Sequence, residues 1–355
     1  MSYGGASGHR VLGHKTVGES MVRATVLVTT RSFGREVPEP MERLKREGIR
    51  ILEWREGSGL DEADLRDKVA QADAWIVAFH PIGAALMDAA PRLRAIAKHG
   101  VGVDNIDIAA ATARGILVTT APSANDQAVA DLAMALLLAL LRRIPEANAS
   151  VKSGRWDRFL GIGLSGKTMG ILGLGRIGQN VARRTKGFGV ELLGSDPVWP
   201  EEAAREIGVR RVEISELFAQ ADVISLHAPL TPETTELIGE TAIAAMKPGV
   251  WIVNTSRGRV VDEKAMYEAL KSGKVAGYAT DVFENEPPVG SPLLTLPNVI
   301  ATPHMGTHTR ESLQLMGDRV AEAVLRIFRG ERPDFVVNPE AYDRLSAPPT
   351  APKPG

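Results

Sequence analysis

Cysteine is missing from the 355-residue chain, and with it go disulfides, thiolate metal sites and any cysteine nucleophile. An excess of charge is missing too. Lysine and arginine number 42 against 43 aspartates and glutamates, a formal net charge of -1, so nothing draws the chain generally to nucleic-acid backbones or anionic membranes. Nucleic acid is therefore not an expected partner. The most apolar run, residues 132–141, lies between Asp131 and Arg142. It is far shorter than the roughly 20 residues that cross a bilayer, so it reads as a buried helix and no membrane partner is expected. Residues 1–21 are rich in Gly and Ser and lack the apolar core of a secretory signal, which suggests a flexible tail, while the missing cysteines suit the reducing cytoplasm expected for this protein. No tandem repeat in the solenoid range is visible.

What is present is material for two cores: 44% of the residues are hydrophobic, spread over a length that suits two domains. From residue 24 onward, short aliphatic runs at 25–29, 49–52, 75–77, 95–97 and 116–118 read as buried strands separated by amphipathic stretches. Alternation of this kind argues for a parallel sheet covered on both faces, because each crossover must hold a helix. A long helix over 125–144 and a polar stretch over 145–164 mark a boundary. A second series follows, with strands expected at 169–172, 191–194, 223–226, 250–253 and 277–279. A last helix, from 309 to about 328, has no strand after it, so it is expected to return to the first domain.

The fold class expected is thus α/β, with two parallel-sheet domains, the first of them discontinuous. Residues 22–122 and 305–340 are expected to form the first domain, 123–304 the second, and 341–355 a Pro-rich tail.

Gly173, Gly175 and Gly178 stand in a G-x-G-x-x-G pattern, preceded by an apolar run and followed by a helix-compatible stretch. That context is what a dinucleotide cradle demands: a tight turn at Gly173, room for pyrophosphate at Gly175, and close helix–sheet approach at Gly178. Asp196 follows Gly178 by eighteen residues at the end of the next expected strand. A carboxylate there accepts hydrogen bonds from both ribose hydroxyls and repels a 2′-phosphate, which points to NAD rather than NADP.

Three later segments put polar residues at strand ends, where open α/β sheets bind ligands. They hold Asn254, Thr255, Ser256 and Arg257, then Asp281, Glu284 and Glu286, then His304, Met305 and Gly306. Together with Lys98, His99, Gly100, Val101, Gly102, Val103, Asp104, Asn105, Ile106 and Asp107, these segments closely resemble the D-isomer-specific 2-hydroxyacid dehydrogenases, over nearly the whole span 24–339. The resemblance implies two Rossmann-like domains, the discontinuous first one the substrate domain and the second the NAD-binding domain, with an active site between them, a small 2-hydroxy or 2-keto acid as partner, and a homodimer formed through the nucleotide domains. It also implies that His304 is the acid/base, Glu286 its partner and Arg257 the substrate anchor. Hydride delivery to a keto carbon creates an alkoxide that needs a proton, which an imidazole can supply, while a planar guanidinium suits a carboxylate better than an ammonium does. By the same resemblance, the backbone amides of Val101 and Gly102 complete the carboxylate pocket. Asp281 is implied as the nicotinamide-amide partner, and Arg176, Ile177, Ala228, Thr255 and Gly306 as further cofactor-lining residues. No metal is expected.

The exact substrate stays open at this level. Arg31 resembles a residue bordering the cleft in phosphoglycerate dehydrogenase-like members. The loop Ala78, Phe79, His80, Pro81 lacks an arginine such enzymes often carry, with His80 or Lys98 as the substitutes, so 3-phosphoglycerate, glyoxylate and hydroxypyruvate chemistry are all admissible. The fifteen residues after Glu340 leave no space for the regulatory domain many phosphoglycerate dehydrogenases append. Glu286 argues against formate oxidation, where glutamine is usual. An NAD-sensing corepressor on the same fold is the alternative from another functional class. His99, His227 and His308 are expected to be structural.

Overall fold

The computed structural model describes residues 24–54 and 61–345; the expected N-terminal tail and residues 346–355 of the Pro-rich tail lie outside them. The first sheet is built from β1 (Thr25–Val28), β2 (Arg50–Glu53), β3 (Ala74–Val77), β4 (Ala95–Lys98) and β5 (Leu117–Thr119), all parallel, in the order β2-β1-β3-β4-β5. Four of the five strands are buried along their whole length, as a sheet covered on both faces requires. Alternation then divides the side chains. Leu27, Trp75, Val77, Ile96 and Val118 enter one core, and Val26, Val28, Ile76, Ala97 and Leu117 the other. Trp75 is fully buried and its indole N–H donates to Thr29 Oγ1 at 2.9 Å, so the largest side chain in this sheet carries no orphaned donor.

The second core is closed by the late helix Arg310–Phe328, capped by Thr309. Leu313, Met316, Val320, Val324 and Ile327 form its buried stripe, at the three- and four-residue spacings of one helical face. Gly317 lets this helix approach closely, since a Cβ there would meet Pro40 Cγ at 2.6 Å. The chain beyond is tied to β5 by the buried Asn338. Its amide oxygen accepts from Val118 N at 2.7 Å, and its amide nitrogen donates to Ile116 O and Thr112 Oγ1. The late helix thus packs on the core of the first sheet, and the chain there continues past residue 340, where a tail was expected, through the helix Ala341–Leu345, with Ala341 fully buried.

The second sheet comprises β6 (Thr168–Leu172), β7 (Glu191–Ser195), β8 (Arg210–Arg211), β9 (Val223–Leu226), β10 (Val250–Asn254), β11 (Val275–Thr280) and β12 (Val299–Ala301), in the order β12-β11-β10-β9-β6-β7-β8 and again all parallel. The two sheets share a local device. Asp73, just before β3, accepts the first N–H of β1 (Thr25, 2.8 Å), and Asp222, just before β9, accepts the first N–H of β6 (Thr168, 2.9 Å). Each carboxylate also faces a base, Arg92 or Lys247.

Two features depart from the sequence expectation. The helix expected over 125–144 ends at Leu141, and a second helix, Ile144–Lys152, follows a left-handed Arg143 (φ 52°). Pro145 cannot donate to the carbonyl of Leu141 and its ring would clash with it. The edge strands β8 and β12 also lie outside the sequence expectation, because two arginines carry no apolar signal and the apolar run Val299–Ala301 is only three residues long. Among the described residues no helix is long and apolar enough to cross a membrane, and no group of three acidic or histidine side chains could hold a metal ion.

Candidate active site

In open parallel sheets, ligands settle at the carboxyl ends of strands where the strand order reverses. The reversal lies between β1 and β3 in the first sheet and between β6 and β9 in the second. Arg31, Phe79 and residues 98–104 leave the ends of β1, β3 and β4. Gly173, Asp196, Ala228, Thr255, Asp281 and His304 follow β6, β7, β9, β10, β11 and β12.

The glycine loop has the three environments its spacing calls for. Gly173 has φ 89° and a Cβ there would lie 2.7 Å from Ala228 N. A Cβ on Gly178 would strike the Gly173 carbonyl oxygen, whereas one on Gly175 would meet nothing, so the middle glycine borders open space. The helix Arg176–Lys186 starts there without a side-chain cap, leaving first-turn amides to face an anion. Arg176 is exposed at this opening and Ile177 half-buried. Close by in the fold, Thr255 Oγ1 and His227 Nδ1 are buried without partners among the described residues, as a surface awaiting a polar ligand would be.

Asp196 accepts from Leu174 N (2.7 Å) and Val198 N (2.8 Å), one bond per oxygen, and a carboxylate has about four acceptor sites. The remainder can serve a ribose. These features fit NAD. Asp196→Asn is expected to narrow the NAD-over-NADP ratio of kcat/KM by about tenfold or more, since a hydrogen bond to a charged group is worth ~1.5–3 kcal/mol. Steady-state rates with both cofactors check it, and an unmoved ratio would mean that another group reads the ribose.

His304 and Glu286 meet. The imidazole Nδ1 lies 2.7 Å from Glu286 Oε2, with the two side chains 21% and 34% exposed, and Glu286 Oε1 accepts from Phe283 N at 3.0 Å. The ring orientation is thus fixed through Nδ1, and Nε2 is the nitrogen left for chemistry. His304 itself has φ 50°, a left-handed conformation unusual for a side chain of this size. Asp281 holds that turn. It is 2% exposed and accepts from Thr302 Oγ1 (2.6 Å), Met305 N (2.9 Å) and Gly306 N (2.7 Å). Three of its acceptor sites are spent on the His304 loop, a use the sequence did not disclose.

Arg257 faces the first sheet's loop. Its Nε lies 3.1 and 3.2 Å from the Asp104 oxygens, Nη2 donates to Asp104 Oδ1 at 2.9 Å, and Nη1 donates to the Ser256 carbonyl at 2.8 Å. The guanidinium lies so close over Gly102 that a Cβ on that glycine would overlap Nη2. The amides of Val101 and Gly102 make no hydrogen bond among the described residues. On the other side, a Cβ on Gly258 would strike the Phe283 carbonyl, so the Arg257 loop is packed directly onto the loop carrying Glu286.

Two residues that sequence reasoning did not promote complete the group. Phe79, 59% exposed, packs its ring 4.3 Å from that of His304. Its neighbour His80 turns instead between Trp54 and Trp75, with ring centroids 5.3 and 6.0 Å away, so Phe79 takes the place at the cleft expected of His80. Side chains alternate along extended chain, and that parity was the available signal. Asp104 is the second. Arg31 is exposed, next to Ser32, whose hydroxyl lies 3.0 Å from His99 Nδ1.

Lys98 is buried beneath the loop, bonded to the Ala78 carbonyl and to Asn105 Oδ1. Burial, helped by the nearby Arg257, pushes its ammonium down to about 7 against the opposing pull of Asp104. Burial alone would raise the Asp104 carboxyl, but the Arg257 hydrogen bonds and charge hold it below its ordinary value. Burial pushes His227 down to about 3, and burial with His308 nearby pushes His99 to about 4. In the unfolded chain both imidazoles take up protons below about pH 6.5, whereas in the fold they resist until near 4 and 3. Stability is therefore expected to fall as pH drops from 6.5 toward 3. Unfolding midpoints between pH 7 and 4.5 check this, and His227→Gln should flatten the slope. An equal slope in that variant would assign the loss elsewhere.

Residues 134–306 match the family model described as "D-isomer specific 2-hydroxyacid dehydrogenase, NAD binding domain". The chain is 48% identical over 303 residues to D-3-phosphoglycerate dehydrogenase of Methanocaldococcus jannaschii, a match covering 83% of this chain and 58% of that relative's length. It is 42% identical over 325 residues to glyoxylate reductase of Thermococcus litoralis, covering 89% of this chain and 98% of the relative. Among solved structures, D-lactate dehydrogenase from Aquifex aeolicus, in complex with NAD and lactic acid, superposes with a TM-score of 0.78 at 31% identity, covering 88% of this chain and 99% of that one.

Proposed function

The chain belongs to the D-isomer-specific 2-hydroxyacid dehydrogenases, and on that footing we propose that it interconverts a short, unphosphorylated 2-keto acid and its D-2-hydroxy acid with NAD. The observation that carries this reading is the hydrogen-bonded His304–Glu286 pair, with Phe79 against the imidazole and Arg257 reaching across to the substrate loop. NADH, when bound, supplies the hydride that C2 of the keto acid receives. The protein's share is binding and proton transfer. Arg257, with the amides of Val101 and Gly102, holds the carboxylate and polarises the C2 oxygen. His304 Nε2 delivers the proton to that oxygen, and in the oxidative direction takes it back. Glu286 keeps Nδ1 engaged throughout, so that one tautomer and one ring angle face the substrate.

The substrate class follows from what surrounds His304. An apolar ring stands there, and two of the three N–H groups of the buried Lys98 are taken by Ala78 and Asn105, which suits glyoxylate, pyruvate or hydroxypyruvate better than a phosphomonoester. A phosphorylated substrate is the second reading, favoured by the exposed Arg31 and by the name of the Methanocaldococcus relative. NADH oxidation with glyoxylate, pyruvate, hydroxypyruvate and 3-phosphohydroxypyruvate separates them. The phosphorylated acid giving the highest kcat/KM would sink the first reading, and binding of NADH without turnover on any acid would point to a sensor.

The same proposal divides the chain into a substrate domain, 24–122 with 305–345, and a nucleotide domain, 123–304. It places the protein in the cytoplasm, where its cofactor is used, as a homodimer through the nucleotide domains. The exposed apolar side chains of Ile144, Val151, Trp156 and Leu160 support self-association. Light scattering during gel filtration reads the mass.

A further inference from the structure

A guanidinium offers five N–H donors, and in this chain three of those of Arg257 are already committed. The Nε–H and one Nη2–H go to Asp104, and one Nη1–H goes to the Ser256 carbonyl. One N–H on each terminal nitrogen remains. Nε and Nη2 share one edge of the planar group, so a carboxylate on that edge fixes the plane and leaves the terminal pair directed elsewhere. Asp104 can impose this because its own loop is anchored. Asn105 donates to the carbonyls of His80 (2.7 Å) and Ala78 (3.2 Å) and accepts from Lys98. Ile82 N bonds Asn105 O, and Asp107 N bonds Ile82 O. Asp104 belongs to the first sheet's loops and Arg257 to the second's, so the aim of the guanidinium is set from across the cleft.

We propose that Asp104 is a positioning residue for the reaction: it holds Arg257 in the plane from which its two uncommitted N–H groups meet the carboxylate and C2 oxygen of the 2-keto acid. This rests on the dehydrogenase reading above. A carboxylate opposite the substrate's own carboxylate does nothing for ground-state attraction, so its contribution lies in alignment, which is felt when charge develops on the C2 oxygen. A misplacement of about 1 Å at such a group costs up to roughly 10²-fold in rate.

The test compares wild type, Asp104→Ala and Asp104→Asn with glyoxylate and NADH, alongside binding of oxalate to each enzyme–NADH complex and binding of NADH alone. Asp104→Ala is expected to lower kcat by about 10- to 10²-fold, while oxalate binds at least as well as before, because a competing negative charge is gone, and NADH affinity is unchanged. Asp104→Asn, whose amide oxygen can stand where Oδ1 now accepts from both nitrogens, is expected to recover much of the lost rate. An Asp104→Ala enzyme with wild-type kcat would overturn the inference, as would parallel losses of kcat and oxalate affinity, which signal a collapsed pocket. An asparagine variant as slow as alanine would assign the effect to charge and overturn it as well. If the wild-type protein reduces no keto acid, the dehydrogenase reading itself fails and takes this inference with it.

Discussion

Replacing His304 with alanine is expected to lower kcat for keto-acid reduction by about 10²-fold or more while leaving NADH affinity nearly intact, as loss of a general acid does. The imidazole stands at the loop after the last strand and not in the glycine cradle, and its hydrogen bond among the described residues is to Glu286, so its removal takes away the proposed proton donor and leaves the glycine cradle untouched. Phe79 would face a void instead of a ring, and water entering it would deliver protons poorly. Stopped-flow single turnovers separate the chemical step from binding. An unchanged single-turnover rate would remove His304 from the mechanism and leave the Glu286 hydrogen bond without a catalytic purpose.

Arg257→Ala is expected to lower kcat/KM by about 10²- to 10³-fold, in line with the ~2–5 kcal/mol lost on truncating one member of a hydrogen-bonded charge pair. Two effects act together. The substrate carboxylate loses its planar donor, and Asp104, freed of its partner, presents an uncompensated negative charge to an anionic substrate. Arg257→Lys should repair the charge but only part of the rate, because an ammonium cannot donate along an edge to Asp104 and from its tip to substrate at once. Steady-state kinetics on both variants, with NADH binding as the control, decide the matter. Lysine activity equal to wild type would show that charge alone suffices.

Much of the fold was legible because parallel strands buried on both faces must be short aliphatic runs, as β3, β4 and β9 are. The glycine loop was legible for a related reason: turn, opening and close approach are local demands, met within six residues. What stayed hidden depends on distance or parity. Asp104 and Arg257 are 153 positions apart, and no periodicity links them. That Phe79 and not His80 lies against His304 is decided by which way the chain leaves β3. β12 is an apolar run of only three residues, too short to stand out as a strand, although it is the strand from which His304 departs. The break at Arg143 was written in Pro145, but the continuous apolar run before it masked the interruption.

The left-handed backbone at His304 places the imidazole at odds with its own peptide unit. A glycine would occupy that turn at less cost, by on the order of 1–2 kcal/mol, so the folded chain is less stable than its topology permits, and Asp281 is what keeps the strained conformer populated. Selection for thermal robustness alone would erode this corner first. Stabilised variants recovered from an unbiased library should therefore be checked at position 304 before their melting temperatures are admired.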